Sequence, residues 1–325
     1  MREITYKEAI REALREELRR DQSVYLIGQD IGIFGGVLGV PQGLWEEFGD
    51  TRIIDAPISE VAIMGSSIGA ALVGLRPVVD LMFAEFLPSV MDLLVNHAAK
   101  MRYITDGEAK VPLVVRVAFG IGPHRLHPEN FEVWFLHTPG IKVVMPSTPY
   151  DAKGLLKTSI RDDDPVLFFE HKYLYDQVKG PVPEEEYTIP FGLACVVRPG
   201  TDVTVVATAR MVHEAESAAE ELAGEGIDVE IIDPRTLVPL DSSAILGSVK
   251  KTGRLVIAHE AWKKGGIGAE ISAMVTEEAF GQMKAPIMRV GALDVPIPNS
   301  PRLERLVVPS KEKIVTAVRK VISNV

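Results

Sequence analysis

In "DAPISEVAIMG" (55–65) a polar pair, Ser59 and Glu60, stands between the turn-forming Pro57 and an apolar run. Two readings fit. Ser59 can cap a helix with Glu60 in its first turn, where the helix dipole favours an acid. Equally, a carboxyl group set among apolar residues can hold a proton that a ligand needs. His124 and His127 fall close together in "GPHRLHPEN", a loop rich in Gly and Pro. Such a histidine is either an ordinary surface residue or one presented to a substrate. Zinc is disfavoured there, because no third and fourth ligand follow at a metal-site spacing. His137, three residues after Trp134, reads as a packed helix-end residue. The acidic run "RDDDP" (161–165) closes a helical pattern, where carboxylates oppose the dipole. It is a solvated loop or part of the oxygen shell of a cation. In "GGIGAE" (265–270) Ile271 stands where a dinucleotide fingerprint needs its third glycine, so a tight strand-to-helix turn is expected. No Walker-type glycine-lysine loop and no G-x-S-x-G elbow occur.

The elements that must position these residues follow from periodicity. Thr5 and Glu8 make a capping box, followed by Ile10, Ala13, Leu14 and Leu18 at helical spacing. "VYLIG" (24–28) reads as a buried strand, and "GIFGGVLGVPQG" (32–43) as a long, glycine-rich, functional loop. Val61, Met64, Ile68, Ala71 and Leu72 form one helical stripe, then "PVVDLMF" (77–83) a strand. Leu87 to Tyr103 predicts one helix, 111–119 and 141–146 strands, 147–161 a helix, and "PVLFFE" (165–170) a strand. "KGPVPEEEYTIPFG" (179–192) reads as a linker. The alternation then restarts, with strands at 202–209, 228–233, 254–260 and 287–292. Helices are expected at 212–223, 241–249, 269–280 and 311–323. This pattern means two α/β domains with largely parallel sheets.

The totals agree. A chain of 325 residues suggests two domains, and 46% apolar with 25% charged residues is ordinary globular composition. The net charge of −10 disfavours nucleic-acid or anionic-membrane partners. A single cysteine, Cys195, fits a reducing compartment. The start is charged rather than signal-like, and no run of eighteen apolar residues predicts a membrane span. A cytoplasmic chain, or an organellar one in mature form, is expected.

Taken together, "GLWEEFGDTRIIDAPISE", "VNHAAKMRY", "HTPGIKVVMPSTPYDAKGLLKTSIRDDDPVLFFE", "VPLD" and "KKTGRLVIAHEA" resemble a known family. It is the beta subunit of the thiamine-diphosphate-dependent 2-oxo acid dehydrogenase component (pyruvate, branched-chain and acetoin enzymes). The resemblance implies a transketolase-like pyrimidine-binding domain over 1–187 and a transketolase C-terminal-type α/β domain over 188–325. It implies decarboxylation of a 2-oxo acid with acyl transfer to lipoamide. The alternatives are an acetoin-cleaving or divergent decarboxylating relative, or a non-catalytic partner.

Residue by residue, the resemblance places Glu60 on the aminopyrimidine ring, where a shared proton favours the imino tautomer. Ile58 and Phe86 are implied as further cofactor contacts, with the Phe86 ring packed on the pyrimidine. Burial among Ile58, Val61, Ile63 and Met64 is expected to keep the Glu60 carboxyl protonated, outweighing the nearby helix end. His127 takes the place of the loop histidine that binds substrate and passes the acyl group on. Here the chain departs from the family: "LHPE" (126–129) replaces Q-H-S-Q, and Gln29 replaces an acid. The superfamily's G-D-G…N motif for Mg2+ and diphosphate does not occur. A separate alpha subunit is therefore expected to hold both, in an alpha2beta2 tetramer whose beta C-terminal domain docks a lipoyl acyltransferase core. A potassium ion is implied near Leu113, Ser159, Ile160, Asp162 and Asp164.

Overall fold

A computed structural model describes residues 1–323. Contacts divide the chain into two units, residues 1–123 with 134–191, and residues 124–133 with 192–325. In chain order the elements are β1 (Arg2–Thr5), α1 (Tyr6–Arg20), β2 (Val24–Gln29), α2 (Leu44–Phe48), β3 (Ile53–Ala56), α3 (Glu60–Leu72) and β4 (Arg76–Phe83). There follow α4 (Ala99–Ile104), β5 (Val114–Phe119), α5 (Glu132–Leu136), β6 (Lys142–Val144), α6 (Pro149–Arg161), β7 (Val166–His171), α7 (Leu174–Gln177) and β8 (Lys179–Val182).

The first unit is built on a parallel sheet in the order β6-β7-β5-β4-β2-β3. Central parallel strands are covered on both faces, so their sequences are nearly continuous apolar runs. Leu26, Val78, Val114 and Phe168 meet Leu14, Leu155 and Ile160 in its core. The capping box forms as expected: Glu8 N–H donates to the Thr5 hydroxyl at 3.2 Å, and Thr5 N–H to the Glu8 carboxylate at 2.7 Å. Thr148 likewise caps α6, with Pro149 in its first turn.

Two expectations fail here. The single helix over 87–103 is instead a 3-10 turn at Ala84–Val90 containing Pro88, a π-helix at Leu93–Ala98, and then α4. Pro88 falls in the first turn of the expected helix, where proline is tolerated, so it does not account for the change of helix type. Second, 179–192 is not all linker, because β8 pairs antiparallel with β1, Arg2 opposite Val182. An edge strand tolerates Pro181, which the linker reading took as a breaker.

The second unit contains β9 (Cys195–Arg198), β10 (Val203–Ala207), α8 (Arg210–Ala223), β11 (Val229–Asp233), β12 (Thr236–Val238), α9 (Ser242–Thr252) and β13 (Leu255–Trp262). After these come α10 (Ile267–Ala279), β14 (Met288–Ala292), α11 (Pro301–Val307) and α12 (Lys311–Ser323). Its sheet runs β14-β13-β10-β11-β9, parallel except for β9. Val205, Val212, Ala219, Val256 and Val318 lie in the core between that sheet and helices α8 and α12.

Candidate active site

Helix α3 begins at Glu60, but Ser59 does not cap it with its side chain. The Ser59 hydroxyl donates to the Pro57 carbonyl at 2.9 Å, while its own carbonyl accepts the first intrahelical bond, from Ile63 N–H. The capping reading of this pair therefore fails for Ser59. Glu60, half-buried, has no hydrogen-bond or ion-pair partner among the described residues. With Gln29, Ile63, Asp80, Met82 and Phe86 it lines one cleft. Phe86 sits on the 3-10 turn after β4 and meets Phe83 edge-on, centroids 6.1 Å apart at 67°.

The apolar enclosure expected around Glu60 is half present. Ile63 and Met64 are buried, whereas Ile58 and Val61 are 73% and 57% exposed, and Ile58 is not part of the cleft lining. Among the described residues, these two side chains beside the start of α3 are left exposed. The cleft thus offers a carboxyl group and an aromatic ring. That donor set fits an aminopyrimidine, a flat heteroaromatic ring with one nitrogen to be hydrogen-bonded and one face to be stacked.

His127 belongs to the segment 124–133, which clusters with the second unit and is not among the residues lining the Glu60 cleft. Its N–H donates to the His124 carbonyl at 3.0 Å, closing a turn in which His124 has φ 54°. Arg125 ties the turn to α11 through both carboxylate oxygens of Glu304, each at 2.8 Å. At the end of the segment Glu132 is 1% exposed. Burial, with a smaller push from Glu260, raises its pKa to about 7.

The residues implied for potassium already have partners within the chain. The carbonyls of Ile160 and Asp162 accept from Arg76 at 3.1 and 2.9 Å, and that of Leu113 accepts from Val166 N–H. The Ser159 carbonyl accepts from Asp162 N–H, and Lys142 bonds the carboxylates of Asp162 and Asp164 at 2.7 and 3.1 Å. Arg102 also pairs with Asp164. Four cationic side chains, Arg76, Arg102, Lys110 and Lys142, already pair with this acidic turn, and among the described residues no group of three His, Cys, Asp or Glu could hold a metal. Two of the three glycines of "GGIGAE" are explained by packing, and Gly265 by its φ of 69°. A Cβ on Gly266 would meet the His259 imidazole at 2.3 Å, and one on Gly268 would meet it at 3.0 Å. His259 is buried, which lowers its pKa to about 4.

Sequence reasoning missed Asp80 and Met82. The available signal was a lone acid inside the apolar strand "PVVDLMF", with Arg116 and Glu170 similarly embedded in their own strands. Periodicity shows that these charges are inside but not that they meet.

Residues 2–177 match the transketolase pyrimidine-binding domain and residues 192–314 the transketolase C-terminal domain. The pyruvate dehydrogenase E1 component subunit beta of Bacillus subtilis (strain 168) is 44% identical, over 99% of both chains. The 2-oxoisovalerate dehydrogenase subunit beta of the same bacterium is 42% identical, over 98% of both. The chain belongs to the family of 2-oxo acid dehydrogenase E1 beta subunits. Within that family, the beta subunit of acetoin:2,6-dichlorophenolindophenol oxidoreductase from Cupriavidus necator is 47% identical, over 98% of this chain and 97% of its own. The beta-subunit fold is shared with a split-gene transketolase described as an inactive beta4 tetramer, at TM-score 0.81, 22% identity and 98% coverage of both chains. The expected fold class is therefore the observed one, a transketolase-like pyrimidine-binding domain followed by a transketolase C-terminal domain. This E1 family depends on thiamine diphosphate.

Proposed function

We propose that this beta subunit works with an alpha subunit in an alpha2beta2 assembly. The assembly would decarboxylate a 2-oxo acid and transfer the acyl group to lipoamide on an acyltransferase core, in the cytoplasm or a mature organellar form. The observation that carries the reading is that Glu60, without a partner among the described residues, and Phe86 line one cleft beside the exposed Ile58 and Val61. Thiamine diphosphate, when bound, supplies the carbon nucleophile and the electron sink for loss of carbon dioxide. Glu60 holds a proton on its carboxyl oxygen and shares it with a ring nitrogen, and Phe86 offers its face to the same ring. Cover from a second chain over Ile58 and Val61 excludes water and so keeps that proton in place. The His127 imidazole is presented to the substrate and assists acyl transfer. Mg2+ and the diphosphate belong to the alpha subunit, since the motif for them is missing from this chain. Potassium is not part of the proposal.

With alpha supplied, Glu60→Gln should lower decarboxylation by about a hundredfold or more while thermal unfolding stays unchanged. Turnover within about threefold of the parent would overturn the role. The 47% identity to an acetoin oxidoreductase subunit supports a second substrate reading, so the same assay is run with pyruvate, branched-chain 2-oxo acids and acetoin.

A further inference from the structure

Strand β4 breaks its ladder with β5 just before the cleft. Asp80 pairs with Arg116 and Phe83 with Ala118, so three steps along one strand match two along the other. Inside this bulge Met82 has φ 68°, a left-handed backbone that non-glycine residues rarely adopt. Asp80 closes the bulge from both sides. Its Oδ1 accepts from Met82 N–H at 3.1 Å, and its Oδ2 accepts from Arg116 Nη1 at 3.0 Å. Arg116 cannot swing away, because it is buried and its Nε and Nη2 donate to the two oxygens of Glu170 at 2.7 and 2.8 Å. The Tyr175 hydroxyl in turn donates to Glu170 at 2.6 Å. Burial works against the charge on Arg116, yet Glu170 and Asp80 hold its pKa above the ordinary value. From the other side Gly28 lies opposite Asp80 in the β2–β4 register, and a Cβ there would meet the Asp80 carbonyl oxygen at 2.5 Å. The strands are pinched together at this point.

We propose that Asp80 is a positioning residue for the pyrimidine pocket. By bridging the Met82 N–H to the anchored Arg116 guanidinium, it holds the bulge that turns Met82 and Phe86 into the cleft beside Glu60. Bulges next to active sites re-aim side chains, and a strained residue persists only where its surroundings over-determine it. This inference rests on the reading of Glu60 and Phe86 as cofactor contacts, and it assigns Asp80 no contact with cofactor or substrate.

The test uses the assembled enzyme and measures thiamine diphosphate affinity by calorimetry, KM and kcat for the 2-oxo acid, and thermal unfolding. Asp80→Asn keeps an oxygen for Met82 N–H but loses the charge that Arg116 holds. It should weaken cofactor binding about tenfold with the KM for the 2-oxo acid within about twofold. General damage to the core would raise the KM for the 2-oxo acid and lower the unfolding temperature along with the affinity. Unchanged affinity in Asp80→Asn, or a loss of affinity matched by an equal rise in that KM, overturns the inference. Should Asp80→Asn not assemble, Asp80→Glu keeps the charge but displaces the bulge-closing oxygen, and is read by the same loss of affinity against an unchanged KM. Phe86→Ala separates the two levels. If it leaves cofactor affinity intact, the pocket reading itself fails. If it weakens binding while Asp80→Asn does not, only the role of Asp80 fails.

Discussion

Glu132 shows how one buried side chain links fold to pH. Its neutral form is favoured because it has left water and because Glu260 lies near enough to repel its charge. Glu260 is itself committed to Arg210, at 2.6 Å. A carboxyl whose folded pKa is raised keeps a proton that the unfolded chain has already lost, so stability falls as pH rises from about 4.5 to about 7. Above that window the penalty is fully present and amounts to about 3 kcal/mol at most. Glu132→Gln removes it. The variant should melt at the parent's temperature near pH 5 and a few degrees above it at pH 8, as read by calorimetric scans. A difference that does not change with pH would show that the buried carboxyl carries no such penalty. His259 runs the opposite way: its depressed pKa makes stability fall as pH drops from about 6.5 toward about 4, where the unfolded chain takes up a proton first.

Between elements, the packing of α1 on α6 illustrates what periodicity hides. The apolar stripe Ile10, Ala13, Leu14 and Leu18 is fully buried, and such side chains contribute about 1.5–3 kcal/mol each. Yet α6 also buries Lys153 and Lys157, which reach back to α1. Lys153 meets Glu16 at 2.6 Å and Glu12 at 3.3 Å, and Lys157 meets Glu16 at 2.7 Å. Burial alone would push the Glu16 pKa up, but bonds from the two lysines bring it below the ordinary carboxylate value. Glu16→Ala leaves one buried ammonium without a close acceptor and should cost about 1–3 kcal/mol in denaturant unfolding. A change under about 0.5 kcal/mol would mean that water compensates the lysines as well as Glu16 does. The acid-rich turn after α6 is built on the same plan, with Arg76, Lys142 and Arg102 serving the carboxylates and carbonyls that sequence resemblance had reserved for potassium.

At the scale of the whole molecule, apolar residues lie exposed beside the Glu60 cleft. Ile58, Val61, Leu72, Val73 and Leu75 are all exposed on or beside α3. An apolar patch of that kind suits the docking of the alpha subunit proposed above. Among the described residues no helix is long and apolar enough to cross a membrane. The isolated chain should therefore bind thiamine diphosphate only weakly, with micromolar or tighter binding appearing once the alpha subunit is added. Calorimetry on the beta chain alone decides this, and micromolar binding there would contradict the division of the site between two chains.

The sequence by itself determined the class of fold, because apolar runs of strand length alternating with amphipathic helices can only bury themselves as layered α/β units. It also determined the family, through motifs such as "GLWEEFGDTRIIDAPISE", and singled out Glu60, Phe86 and His127. Tertiary structure decided which of these meet: Glu60 and Phe86 share a cleft, while His127 lies in a segment that clusters with the second unit. It decided that Ser59 does not cap α3, that the helix expected over 87–103 is divided into 3-10, π and α stretches, and that Asp80 bridges Met82 and Arg116. The physical reason is one of range. Periodicity and capping depend on residues a few positions apart, whereas the match of Asp80 to Arg116, or of Lys153 to Glu16, depends on register and packing between segments far apart in the chain.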